Sequence, residues 1–380
     1  MTVEPIPQTD PKAAYLAHKV DIDAAIARVL AGGRYILGAE VAAFEREFAG
    51  YIGVRHAVGV ANGTDALVLA LKAIGVTRDD YVVTVSHTAV ASVAAIELAG
   101  AKPLLVDIDP ATYTLDAEEL ARVLAAPPGR IAAVIPVHLY GQAADLDGIL
   151  PLARRYGARV IEDCAQCHGA TLSGRRLGSF GDIAAFSLYP TKNLAALGDG
   201  GIVVTDDDAA AERLRALREY GWHQRYVSDV AGMNSRLDEL QAAILRVKLP
   251  ALEADNARRR AVAAAYDAGL AALPLVLPAR RPRSDHVFHQ YAIRAKRRDA
   301  LRDALAQRGI GTNIHYPVPV HRQPAYEGRL AQGPGGLANS ERAAQEVLSL
   351  PMYPQLGDDA VAAVVAALRE TARSQADRWP

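Results

Sequence analysis

Between residues 55 and 205 short β-branched runs alternate with helical stretches, and that alternation confines the chain to one class of fold. The runs are YVVTV (81–85), PLLVDI (103–108), IAAVIPVHLY (131–140), ARVIED (158–163), DIAAFSLY (182–189) and GIVVTD (201–206). Between several of them lie ALVLALKAIG (66–75), AVASVAAIELAG (89–100), DAEELARVLAA (116–126) and LDGILPLARRYG (146–157). Such alternation predicts an α/β fold with a mostly parallel sheet covered by helices on both faces. The runs are almost continuously apolar, as strands buried on both faces must be. Gly75, Gly100 and Gly157 each follow a helical stretch, where a left-handed cap is expected.

From Ser235 the texture changes. SRLDELQAAILRVKL puts Leu237, Leu240, Ile244 and Val247 on one helical stripe, and Ser235 with Asp238 resembles a capping box. Pro250 interrupts before a second helical stretch, ALEADNARRRAVAAAYDAGLAAL. A Pro/Arg-rich loop (277–286), a strand candidate HQYAIRA (289–295), a helix near 298–308 and the loop GIGTNIHYPVPVHRQPAY (309–326) follow. The boundary is placed near residue 250: a large domain over 1–250, opening with an N-terminal arm, and a small domain over 251–380.

Bulk properties remove several function classes. The 380 residues are 51% hydrophobic and 22% charged with a net charge of −1, so no basic surplus points to nucleic acid or a membrane surface. No apolar run is long enough to span a bilayer, and the first residues lack the pattern of a signal peptide. Two cysteines make no disulfide framework. A cytoplasmic enzyme or binding protein is expected.

In doubly wound sheets, ligands sit at the carboxyl ends of the strands. Four such places carry unusual polar residues. Asn62-Gly63-Thr64 stands where a helix begins, and free N–H groups with the helix dipole make an anion site, or merely a cap. In VIEDCAQCHGA, Asp163 ends a very apolar strand, where a carboxylate needs a partner, and Gln166 lies close by. Cys164 and Cys167 form a CxxC without a second cysteine pair, so no metal is expected there. In AAFSLYPTKNLAALGDGG, Ser187 precedes a lone lysine, Lys192, and a glycine-dense turn. His87 ends a strand in TVSHTAV, placed to stack on a planar ring or to cap the next helix. An anion site, a buried carboxylate and a lysine on neighbouring strand ends suit pyridoxal 5'-phosphate. That cofactor needs a lysine for its Schiff base and an acid for its pyridinium proton.

Together NGTDAL, EDCAQCHGA, FSLYPTKNLAALGDGG, MNSRLDELQAAIL and LSLPMYP resemble the DegT/DnrJ/EryC1/StrS family of sugar aminotransferases, over residues 25 to 370 or so. The resemblance implies the aspartate aminotransferase-like fold, fold type I, with a smaller C-terminal α+β domain, and a homodimer with shared active sites. It implies that Lys192 is the Schiff-base lysine, Asp163 the partner of the pyridinium nitrogen, and Gln166 a neighbour of the cofactor's phenolic oxygen. Gly63, Thr64 and Ser187 match phosphate contacts, and Asn234 matches an asparagine that reaches the phosphate from the other subunit. His87 stands where several relatives carry an aromatic ring. Arg236, His315, Tyr316 and His321 match substrate contacts. Ala195 and Cys167 depart from the common glycine and alanine without removing a chemical group. Branches that dehydrate carry histidine in place of the lysine, so Lys192 implies amination.

The activity implied is transamination. An amino donor, L-glutamate by resemblance, passes its nitrogen to the cofactor and then to a nucleotide-linked ketosugar, with Lys192 moving the proton. Gln166, VHLYGQ (137–142) and HTAV (87–90) are similar to branches that aminate C3 of deoxysugars. C4 and cyclitol amination, a non-sugar transaminase and a non-catalytic binding protein are the alternatives.

Overall fold

In the computed structural model, which describes residues 5–374, eight strands form one sheet in the spatial order His56–Val60, Gly201–Thr205, Ile183–Ser187, Arg159–Asp163, Ile131–Val134, Tyr81–Val85, Lys102–Val106 and Ala331–Gln332. All neighbours are parallel except around Gly201–Thr205, which runs antiparallel to both flanking strands. The exception follows from its connection. Residues 188–200, which separate it from Ile183–Ser187, form turns and no crossover helix, so the chain turns back with Ser187 opposite Gly201. Lys192 lies in that turn. Gly201 has no substitute there, because a Cβ would stand 2.2 Å from the Asn62 carbonyl oxygen.

Both faces are covered. The helix Gly63–Ala73 buries Leu67, Leu69 and Leu71 against Val58, Ile161, Ile183 and Val203. The opposite side gathers Phe44, Phe48, Phe186, Ile202 and Leu245, with Phe48 edge-on to Phe186 at 5.1 Å between ring centroids. Helix starts are capped as the sequence dictates: Asp116 accepts from Glu118 N at 2.8 Å, and Asp207 from Ala209 N at 2.9 Å. Gly75, Gly100 and Gly157 adopt φ values of 79°, 92° and 69°, the expected left-handed caps.

Beyond residue 250 a further core forms around Tyr266, Tyr291, Ile293, Leu305, Leu348 and Leu368. Its frame is the helices Leu252–Leu270 and Asp358–Ser374 and the antiparallel pair Tyr291–Arg294 and Val347–Leu350. The N-terminal arm docks here, with Ile6 bridged to Ile310. The chain also returns to the large sheet, where Ala331–Gln332 extends its edge beside Lys102–Val106.

Two local expectations are corrected. The run 131–140 is a strand only to Val134. Pro136 carries no N–H for a ladder, and Tyr140 takes φ 60° in a short 3-10 turn. Ser235 and Asp238 form no capping box. The Ser235 hydroxyl accepts from Ala61 N and donates to Asp65, and the helix starts at Glu239.

Glu239 reaches outward instead. Its buried carboxylate accepts from the N–H groups of Gly38 (2.7 Å), Glu40 (3.0 Å) and Val41 (2.9 Å), satisfying the start of the helix Ala39–Ile52. Glu239→Ala strands three donors and is expected to cost about 3 kcal/mol of stability, read from the urea midpoint. An unchanged midpoint contradicts this account.

Candidate active site

A cavity of about 400 Å³ opens where Arg159–Asp163, Ile183–Ser187 and the first turn of Gly63–Ala73 converge. Asp163, Gln166, Ser187, Lys192, Gly63, Thr64, His315 and Tyr316 all line it. The sequence therefore located eight residues that the fold brings to one place, from four separate segments.

Asp163 sits at the last position of its strand. One carboxylate oxygen accepts from the Ser92 hydroxyl at 2.9 Å and the other from Ala165 N at 3.1 Å. Burial pushes its carboxyl above the ordinary range. The Ala165 N–H, the Ser92 hydroxyl and the Lys192 charge pull it part of the way back. Lys192 faces the same cavity. Burial lowers its amine to about 8, and the Asp163 carboxylate opposes that shift. Each group makes the other's charge tolerable in a place that favours neither.

The helix start supplies an anion cradle. Asn62 caps the helix by accepting from Asp65 N at 2.8 Å, and Ala66 N is bound to the Asn62 carbonyl. The N–H groups of Gly63 and Thr64 come earlier in the turn, where no helical partner exists. A Cβ on Gly63 would meet the Ser187 Cβ at 2.6 Å, so only glycine lets helix and strand approach this closely. Donors, hydroxyls and the positive helix end suit a phosphate. With Asp163 and Lys192 in the same cavity, the residues present fit pyridoxal phosphate.

A polar mesh joins the far wall. Gln166 Oε1 accepts from Tyr140 N at 2.7 Å, and its Nε2 donates to the Tyr316 hydroxyl at 3.1 Å. The Tyr140 hydroxyl donates to the His315 carbonyl. Tyr316 accepts from Gln166, so its own hydrogen is free to point at a ligand.

Four expected residues lie elsewhere. His87 is buried behind the wall: it neither lines the cavity nor caps a helix, and its Nε2 pairs with the Tyr140 hydroxyl at 2.9 Å. Burial lowers its imidazole to about 3. His321 pins its loop to the sheet through the Ser86 hydroxyl at 2.7 Å and to Glu341 at 3.1 Å. Asn234 is exposed, and neither it nor Arg236 lines the cavity of its own chain.

The cavity also holds residues the sequence reading missed: His289, Gln290, Tyr189 and Asp199. Ser92, bound to Asp163, was missed as well. Nothing marks a serine inside an apolar helix as special until the fold sets it beside a carboxylate 71 positions away.

His138, Cys164 and Cys167 place donor atoms within 4.8 Å of one another. They do not fit a metal. His138 Nδ1 accepts from Ala144 N and its Nε2 donates to Glu162, so both nitrogens are in use. Burial raises both thiols, away from the thiolate a metal needs.

The neutral amine is the reactive form, so acylation of Lys192 in the full chain purified without added cofactor should climb as pH rises through about 8. Asp163→Asn removes the carboxylate that favours the ammonium and should move the midpoint lower. Peptide mapping after labelling checks both, and a midpoint at the ordinary 10.5 contradicts the burial argument.

Comparison with known proteins agrees with this geometry. The DegT/DnrJ/EryC1/StrS aminotransferase family matches residues 17–369. The chain is 49% identical to the dTDP-3-amino-3,4,6-trideoxy-alpha-D-glucose transaminase of Streptomyces venezuelae over 368 residues, 97% of this chain and 96% of that protein. It is 44% identical to the UDP-N-acetyl-3-dehydro-alpha-D-glucosamine 3-aminotransferase of Acidithiobacillus ferrooxidans, over 96% of this chain and 98% of that one. Among solved structures, S. venezuelae DesV in complex with a ketimine intermediate superposes with a TM-score of 0.94 at 49% identity, covering 97% of this chain and 99% of that one. The chain belongs to the DegT/DnrJ/EryC1/StrS family and is a pyridoxal-phosphate-dependent aminotransferase.

Proposed function

We propose that this aminotransferase moves an amino group from L-glutamate to C3 of a nucleotide-linked keto-deoxyhexose, in the cytoplasm, as a step in making a deoxyaminosugar. The observation that carries the chemistry is the sharing of one desolvated cavity by Lys192, Asp163 and a helix start. Similarity over nearly the whole length to transaminases named for 3-amino sugars, one thymidine-linked and one uridine-linked, supports the choice of C3.

Bound pyridoxal phosphate supplies an electron sink beside the carbon that loses or gains a proton. The rest is the work of this chain. Lys192 Nζ would hold the cofactor and, once free, would move the proton at the donor's α-carbon; an amine brought near 8 can both take and return it. Asp163 is the residue that would pair with the ring nitrogen and favour its protonated form. Ser92 and the Ala165 N–H fix the direction of its oxygens. Gly63, Thr64 and Ser187 would receive the phosphate. Gln166 holds Tyr316, whose hydroxyl hydrogen would be free to address the ring oxygen or the sugar. His315 lies beside it in the wall.

The active unit is proposed to be a homodimer. Asn234 and Arg236 do not line their own chain's cavity, so a contact between them and cofactor or substrate requires a second copy. The short hairpin Trp222–Gln224 with Val227–Ser228, its exposed Tyr226 and the exposed Tyr220 just before it lie near them in the chain.

The test starts from the aminated cofactor form. It is mixed with thymidine- and uridine-linked 3-ketosugars and 4-ketosugars, with a cyclitol ketone and with free keto acids, and the return of the absorbance of the lysine-linked cofactor is followed. Fast return is expected with a 3-ketosugar and, as the donor half-reaction run backwards, with 2-oxoglutarate, and with no other compound of the panel. Return with a 4-ketosugar, a cyclitol ketone or only a free keto acid overturns the substrate assignment.

A further inference from the structure

His289 forms part of the cavity wall, and the chemistry above gives it no task. It belongs to a relay of side-chain amides. Asn193, next in sequence to Lys192, donates through Nδ2 to Asn256 Oδ1 at 2.8 Å and to the Val287 carbonyl at 3.1 Å. Asn256 in turn donates to the His168 carbonyl at 2.9 Å. With its amide hydrogens engaged, Asn193 turns Oδ1 to His289 Nδ1 at 3.2 Å. An amide oxygen only accepts, so the imidazole proton is on Nδ1 and Nε2 carries a lone pair.

That lone pair is poorly used within the protein. Its neighbour is Gln290 Nε2, at the long distance of 3.4 Å, and the Gln290 oxygen is taken by Gln8 of the N-terminal arm at 2.7 Å. Burial holds the ring neutral. Four positive or protonatable groups on separate segments act in the same direction: Lys192 first, then Arg259, His315 and His168.

We propose that His289 is a positioning residue for Lys192: the Asn256–Asn193 relay locks its proton on Nδ1, and its bare Nε2 accepts a hydrogen bond from the Lys192 amine whenever that amine is free. The relay reaches the lysine twice, through the backbone beside it and through the acceptor aimed into its cavity. A neutral acceptor suits an amine that must give its proton away. A carboxylate there would hold the proton, and a second cation would repel the ammonium. The inference rests on transaminase chemistry and not on which keto substrate is used, so it stands or falls apart from the sugar assignment.

The experiment uses the holoenzyme loaded with pyridoxamine phosphate, in which Lys192 is free. Histidine is labelled with ¹⁵N, and the His289 signals are identified by their absence in His289→Gln. The expected spectrum shows Nδ1 protonated and Nε2 bare from pH 6 to 8.5 or so, with the Nε2 signal moving as Lys192 titrates. Lys192→Ala should abolish that movement, and Asn193→Ala should release a mixture of the two tautomers. In turnover, His289→Leu is expected to lower kcat about tenfold with KM for the amino donor little changed, and His289→Gln, which keeps an acceptor, to recover part of the loss. A proton on Nε2, or an Nε2 signal indifferent to both pH and Lys192→Ala, overturns the proposal. The spectra of the wild type and Lys192→Ala decide the matter even where His289→Leu fails to fold.

Discussion

One carboxylate and one amine, taken out of water together at the carboxyl edge of a sheet, set the terms for the rest of this protein. Burial alone drives Asp163 toward its protonated form and Lys192 toward its neutral one, and each opposes the other's shift. Removing one partner of such a pair leaves a buried charge without compensation. The same tension is useful chemically. A lysine that titrates near 8 is a competent base and acid close to neutrality, whereas an exposed one is almost always protonated.

Holding that pair requires a stiff surround, and other buried carboxylates help to provide it. Glu162, one residue before Asp163, accepts from His138 Nε2 at 3.0 Å and from the N–H groups of Gly178, Phe180 and Gly181 at 2.9, 2.7 and 2.7 Å. Burial alone would push it up; these donors more than offset that and hold it below the usual carboxylate range. It thereby fixes the loop that leads into Ile183–Ser187, the strand whose end carries Ser187. Glu239 plays the matching part at the start of Ala39–Ile52. Gly63 and Gly201 complete the arrangement, since backbone must pass there at distances that no side chain permits.

Much of this was legible in the sequence because its signals are local. Continuous apolar runs ending in a polar residue marked strand ends, and strand ends are where the cavity formed. Asp163, Ser187 and Lys192 stood out as charges or hydroxyls at the close of apolar runs. The less legible parts depend on contacts between distant residues. The strands His56–Val60 and Val347–Leu350 are short, and glycine interrupts the first while proline follows the second. Ser235 reads as a cap and is spent instead on Asp65, 170 positions away. His87 and His321 read as ligand contacts, yet the fold turns them to Tyr140 and Ser86. His289 reads as one residue of a strand candidate, because nothing local shows that Asn193, 96 positions earlier, fixes its proton.

The central claim is a covalent link between Lys192 and pyridoxal phosphate. Reducing the purified holoenzyme with borohydride and mapping its peptides by mass tests that claim most directly. The account predicts one modified residue, Lys192, carrying the mass of the reduced cofactor, and no such product in Lys192→Ala. Cofactor fixed to another lysine, or none fixed at all after full loading, would contradict it.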